Sequence, residues 1–256
     1  MHVTAVGRGP NIVLLHGWGM HAGVVAGLAH ALCAFGRVHV PDLPGHGHSS
    51  GCVPPDIFGV VDELRGAVPA DAIWAGWSLG ATLALLAADP ARARGLILLS
   101  GTPRFLATAG WSHGVDAAAF ESVRVAARQN PSAGVTALLR LFSVGGEGAR
   151  RTRRELERRL RDRPMASPGG LARGLELLET ADLRKSLEHW HLPSLLIGGA
   201  RDPLVPPAAL EWCAGALPDG RVHVLPGAGH APFISHPSAT VAEIESFLAS
   251  RFAEGW

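Results

Sequence analysis

No sign of charge dominates this chain of 256 residues: 23 lysines and arginines stand against 22 acids, for a net charge of +1. So even a balance gives no general attraction to nucleic acid or to a membrane surface, and neither is expected as a partner. Cysteine is scarce. Cys33, Cys52 and Cys213 are odd in number, far apart and form no CxxC pair, which argues against a disulfide framework and against zinc. No apolar run approaches the roughly 20 residues of a membrane span. The opening "MHVTAVGRGPNIVLLHG" has no basic stretch leading into a long apolar one, so a cytoplasmic, monomeric protein is the expectation. Internal repeats and low-complexity linkers are missing as well.

What the chain does have is core. Hydrophobic residues make up 47% and charged residues 18%, enough apolar side chain for one large α/β unit over residues 1–256. Short apolar runs bounded by glycine or proline read as buried strands near Ile12, Val38, Ile73, Ile97, Leu195 and Val222. Helix-like segments lie between them, among them Thr82 to Ala88, Ala208 to Ala216 and Ser238 to Phe252. Alternation of this kind indicates a mostly parallel sheet flanked by helices. From about 105 to about 178 the strand signals stop and then resume, which predicts a helical insertion lying over the sheet as a lid.

One stretch carries a polar group that packing does not need. In "AIWAGWSLGATLALLAA" (Ala72 to Ala88) Ser78 sits in "GWSLG", a G-x-S-x-G that follows a strand and opens a helix. That is the context of a nucleophile elbow, a turn sharp enough to lift a hydroxyl above the sheet, with the next helix aiming its N–H groups at the same spot. A serine hydroxyl needs a base, and the base needs an orienting acid. Asp202 follows the strand "SLLIGG" and His230 follows "VHVLPG", each at the end of a strand where open α/β sheets bind ligands. Ser78, Asp202 and His230 are therefore the candidate catalytic residues. Acyl transfer also needs donors for an oxyanion, and the amides of Trp18, in "LLHGWGM", and of Leu79 are the candidates. His16 is expected to bond loop backbone rather than act as a second base. His46 and His48, in "DLPGHGHSS", have no metal-like partners, so neither a metal nor a cofactor is indicated.

The lid has a charge signal of its own. "RRTRRELERRLRDR" (Arg150 to Arg163) sets eight arginines against Glu155, Glu157 and Asp162, a local charge of +5 that leaves −4 for the rest. Pairs Glu155–Arg159 and Glu157–Arg161 are expected at helical spacing. Arg150, Arg154, Arg158 and Arg161 fall along one face, and Leu156 and Leu160 could seat the helix on the body. Such a stripe suits an acidic partner or a phosphate, since guanidinium binds both bidentately.

Together "HGWG", "DLPGHGHS", "GWSLGA", "ARDPLVP" and "AGHAPFISHP" resemble the α/β-hydrolase superfamily along nearly the whole chain. More narrowly, Trp18 and Trp77, "GHAPFISHP" and "GLELLETADLRKSL" resemble the family of pimeloyl-[acyl-carrier protein] methyl ester esterases of biotin synthesis. The resemblance implies a serine carboxylesterase without cofactor. It also implies substrate contacts at Trp18, Ser78, Leu79, His230 and the lid stretch Leu138, Leu139, Arg140, Leu141 and Phe142. It matches Arg150 and Arg154 to arginines that bind acidic acyl-carrier protein. The chain departs from the family pattern in carrying Leu138 after Ala137, where an aromatic and upstream arginines are usual. The residues themselves leave two other readings open: a serine hydrolase or acyltransferase acting on small free esters or lactones, and a non-catalytic binding module of the same fold. Haloalkane dehalogenases and epoxide hydrolases are disfavoured, because they use an aspartate where Ser78 stands.

Overall fold

The computed structural model describes residues 1–142 and 144–252; Ser143, inside the expected lid, and 253–256 lie outside the described residues. Seven strands form one sheet: β1 (Val3–Val6), β2 (Asn11–Leu15), β3 (Arg37–Pro41), β4 (Ala72–Trp77), β5 (Gly95–Leu99), β6 (Ser194–Gly199) and β7 (Gly220–Leu225). Their order is β1-β3-β2-β4-β5-β6-β7, and only β1 runs antiparallel, against β3. Helices α1 (Ala22–Leu32), α2 (Ile57–Ala67) and α3 (Leu79–Ala87) connect the first half of the sheet. Between β5 and β6 come α4 (Ala117–Gln129), α5 (Pro131–Phe142), α6 (Ala149–Arg159), α7 (Pro168–Thr180) and the short α8 (Arg184–Leu187). Helices α9 (Pro207–Ala216), α10 (Pro232–Ser235) and α11 (Pro237–Arg251) complete the chain. The fold class read from the sequence is the one observed.

The apolar runs become strands because both faces of a parallel sheet are covered. All six residues of β4 and all five of β5 are buried, so nothing selects for polar alternation there. β1 escaped the sequence reading. Its four residues are mostly half-buried, and it gains its identity only by pairing with β3 from Val3–Pro41 to Val6–Val38.

The topology decides where a site can form. From β2 the chain goes first to β3 on one side and then crosses to β4 on the other, so β2 and β4 are parallel neighbours at the point where strand order reverses. The loops after such strands diverge and leave a crevice. The loop after β2 carries His16 to Met20, and the turn after β4 carries Ser78.

Candidate active site

Ser78 stands between β4 and α3 with φ 57° and ψ −119°, a conformation that costs a non-glycine residue on the order of 1–3 kcal/mol. The surroundings enforce it. A Cβ on Gly76 would lie 2.1 Å from the Gly80 carbonyl oxygen, and one on Gly80 would lie 2.4 Å from that of Leu15. Two glycines thus let the start of α3 press onto β2 and β4, and the helix begins at Leu79, three residues earlier than its apolar pattern suggests.

Around this turn the predicted catalytic residues meet. The Ser78 hydroxyl lies 2.9 Å from His230 Nε2, and His230 Nδ1 lies 2.8 and 3.0 Å from the two carboxylate oxygens of Asp202. A carboxylate only accepts, so Nδ1 carries the proton and Nε2 is left to accept from the serine. Asp202 is fixed in turn by the amides of Leu204 and Val205, at 2.9 and 3.0 Å, in the turn that its D-P sequence makes. The His230 and Asp202 side chains are wholly buried. Trp77 donates its indole N–H to the His230 carbonyl at 2.7 Å, which ties the histidine loop to the end of β4.

Gly17 packs against Ser78 and the Trp77 ring, bringing the loop after β2 alongside the elbow. Among the described residues no protein acceptor takes the amide of Trp18 or of Leu79. The Trp18 ring is buried and donates to the Leu171 carbonyl of α7 at 2.9 Å, while its edge rests on Gly174, where a Cβ would come within 2.5 Å. His16 acts on backbone. Its Nε2 accepts from the Leu43 amide at 3.0 Å, so the Nδ1 proton goes to the Gly17 carbonyl at 2.9 Å. Burial, with His46 close by, pushes the His16 pKa well below its ordinary value, which fits this neutral bridging role.

The helices between β5 and β6 supply the wall. Phe142 packs against the His230 ring, tilted by 44° with centroids 4.6 Å apart, and meets Trp77 edge-on. Leu138 and Leu139 are buried on the same face of α5, and Leu141 is half-buried. Arg140 is not brought to the site; it lies on the opposite, exposed face of α5, as a helical step of about 100° per residue from the buried face requires.

Helix α6 is seated through Leu156, which is fully buried, and Leu160, which is half-buried. Glu155 accepts from Arg159 at 2.8 Å and from Arg158 at 2.7 and 2.9 Å; these bonds from Arg158 and Arg159 hold its pKa down at about 2. The expected Glu157–Arg161 pair is corrected. Glu157 meets Arg153 instead, at 3.4 Å, because α6 ends at Arg159 and the chain tightens into a 3-10 turn at Leu160–Asp162 that breaks the four-residue spacing. Arg150, Arg151, Arg154 and Arg161 are exposed, and among the described residues none has an acidic partner. A groove of about 530 Å³ opens between α6 and α10, the turn after His230, lined by Arg151, Thr152, Glu155, Arg159, Ser235 and His236. No cluster of three or more histidine, cysteine or acidic side chains among the described residues could hold a metal. Nor is any described helix long and apolar enough to cross a membrane.

Sheet order, elbow and crevice define an α/β hydrolase. The sequence model of the alpha/beta hydrolase family matches residues 12–244, and the chain belongs to that family. Within it, the chain is 39% identical over 251 residues to a pimeloyl-[acyl-carrier protein] methyl ester esterase of Stenotrophomonas maltophilia, covering 97% of this chain and 96% of that one. It is 38% identical to the esterase of the same name from Xanthomonas axonopodis pv. citri, covering 98% and 99%. Among solved structures, a thermophilic esterase from Thermogutta terrifontis superposes with a TM-score of 0.80 at 24% identity, covering 97% of this chain and 93% of that one. An enol-lactonase from Burkholderia xenovorans superposes with 0.79 at 26% identity, covering 96% and 95%.

Proposed function

We propose that this enzyme hydrolyses the methyl ester of pimeloyl-[acyl-carrier protein], acting as a cytoplasmic monomer without a cofactor. The observation that carries the chemistry is the chain of bonds from Ser78 through His230 to Asp202, beside two amides that have no acceptor among the described residues. Ser78 attacks the ester carbonyl as His230 takes its proton, and the negative charge that develops on the carbonyl oxygen is met by the Trp18 and Leu79 amides. His230 then protonates the departing methanol. Asp202 keeps the imidazole in the one tautomer that can do both. Water, deprotonated by His230, attacks the acyl-enzyme and releases the carboxylate. Phe142 over His230, with Leu138 and Leu139 behind it, keeps solvent from the imidazole.

The substrate is read from two sources. The relatives at 36–39% identity are named for this ester, whereas the lactonase likeness is to a more distant protein. The arginines of α6 that have no acidic partner among the described residues supply a face that an acidic carrier would meet, with Arg150 and Arg154 in the contact. The test is growth. Cells lacking their own methyl esterase should grow without biotin when given this chain and should not when given Ser78→Ala. Failure of the unsubstituted chain, if it still reacts with a fluorophosphonate and cleaves small esters, would return the assignment to a free-ester hydrolase.

A further inference from the structure

Arg163, at the far end of the arginine-rich segment, does not face solvent. Its Nη1 donates to Asp42 Oδ2 at 2.7 Å and its Nη2 to Thr4 Oγ1 at 3.1 Å, and the Asp42 side chain is fully buried. The same carboxylate accepts from the Ala22 amide at 2.7 Å and from the His48 amide at 2.8 Å. Ala22 is the first residue of α1, directly after the loop that carries Trp18. One buried carboxylate therefore joins three things: the lid, the turn after β3 and the exit of the loop that presents an oxyanion donor. Burial pushes the Asp42 carboxyl up, but the two amides and the guanidinium outweigh that and hold it below its ordinary range.

Neighbouring bonds run the same way. The Leu43 amide holds His16, which holds the Gly17 carbonyl. The Ser167 amide donates to the Gly45 carbonyl at 2.7 Å, and Ser167 caps α7, whose Leu171 carbonyl accepts the Trp18 indole. His21 Nε2 reaches the Leu160 carbonyl at 3.3 Å, and Arg159 donates to the Val24 carbonyl at 2.9 Å. Trp18 is thus held by its ring from the lid and by its backbone from a loop anchored on Asp42.

We propose that Arg163 and Asp42 are positioning residues for the oxyanion donor at Trp18: their ion pair sets the lid against the loop after β2, so that the Trp18 amide points at the ester oxygen. Neither residue touches substrate. The inference rests on the reading of Trp18 as an oxyanion donor.

The consequence is a loss of transition-state binding rather than of substrate binding. Arg163→Met should lower kcat on a short p-nitrophenyl ester by about tenfold or more, leaving KM within about twofold. The Ki of a trifluoromethyl ketone, whose adduct carries an oxyanion, should rise by a similar factor, while that of the alcohol with the same skeleton stays put. Arg163→Lys, which keeps one charged donor, should recover most of the kcat and guards against a variant that simply fails to fold. If Arg163→Met folds and leaves the ketone-to-alcohol ratio unchanged, the positioning role is wrong even if the melting temperature falls. Equal weakening of ketone and alcohol would also overturn it, by showing a damaged pocket instead. If the unsubstituted enzyme shows no preference for the ketone, the oxyanion reading itself fails, and the positioning role falls with it.

Discussion

At Gly76 one added carbon would lie 2.1 Å from a carbonyl oxygen, whereas at Gly148, just before the arginine helix, it would meet nothing within 4 Å. The two positions stand for two parts of the molecule. In the elbow, backbone presses on backbone, and each residue has one permitted place. In α6, one leucine is fully buried and most arginines point into water. Reaction chemistry needs groups held to within a fraction of an ångström, and the sheet provides that. Recognition of a large charged partner needs only a face of the right sign, and an exposed helix provides that at little cost to the core. The Arg163–Asp42 pair, with the Arg159–Val24 and His21–Leu160 bonds, ties the arginine-rich segment to the body.

The contrast breaks most sharply at the proposed catalytic residues. Ser78→Ala or His230→Ala should lower kcat by about 10⁴-fold or more on any ester with the fold retained, read by circular dichroism beside the assay. Asp202→Asn should also cost orders of magnitude, about 10³–10⁴-fold, by favouring the wrong histidine tautomer. Retention of most activity in Ser78→Ala would remove the elbow from the mechanism. Next in size is backbone fit. Gly76→Ala should destabilise by more than about 3 kcal/mol or prevent folding, whereas Gly148→Ala, which adds only the strain of its φ of 65°, should cost about 1 kcal/mol. Similar denaturation midpoints for the two would erase the distinction.

Acid should act on the body. His16 and His46 are buried and hydrogen-bonded, and burial lowers both, His46 to about 4 from an ordinary 6.5. The unfolded chain binds their protons below about 6.5, and the folded chain does so only further down, so stability present above that value is lost as pH falls. The loss should reach about 1.4 kcal/mol per pH unit for each histidine between about 6.5 and 4. Urea midpoints across that range measure it, and His46→Gln should flatten the slope. An unchanged midpoint would mean that these rings titrate freely.

How much of this was legible beforehand follows the same division. The elbow could be read because its glycines, serine and flanking strand and helix are adjacent in sequence, and Asp202 and His230 each follow an apolar strand. Strand β1 could not, because four residues of weak alternation become a strand only beside β3. The Asp42–Arg163 pair was invisible for a similar reason: 121 positions separate its members, and in the sequence Arg163 is one more arginine of the basic segment. The clue was chemical, an aspartate placed directly after a strand among glycines that let the turn wrap it. The arginine stripe was legible as a stripe, and so was its Glu155–Arg159 pair, but the Glu157–Arg161 pair was not, since the 3-10 turn at Leu160–Asp162 shifts the register.

The central claim is a division of labour between sheet and lid. Its most direct test is the ratio of kcat/KM for pimeloyl-[acyl-carrier protein] methyl ester to that for a free pimelate methyl ester, in the unsubstituted enzyme and in Arg150→Glu with Arg154→Glu. Losing two contacts of about 1 kcal/mol each should lower that ratio about tenfold or more. Added salt should lower it in the unsubstituted enzyme and hardly move it in the double variant. A ratio that is the same in both proteins and insensitive to salt would contradict the account, leaving the arginines of α6 as a solvated face.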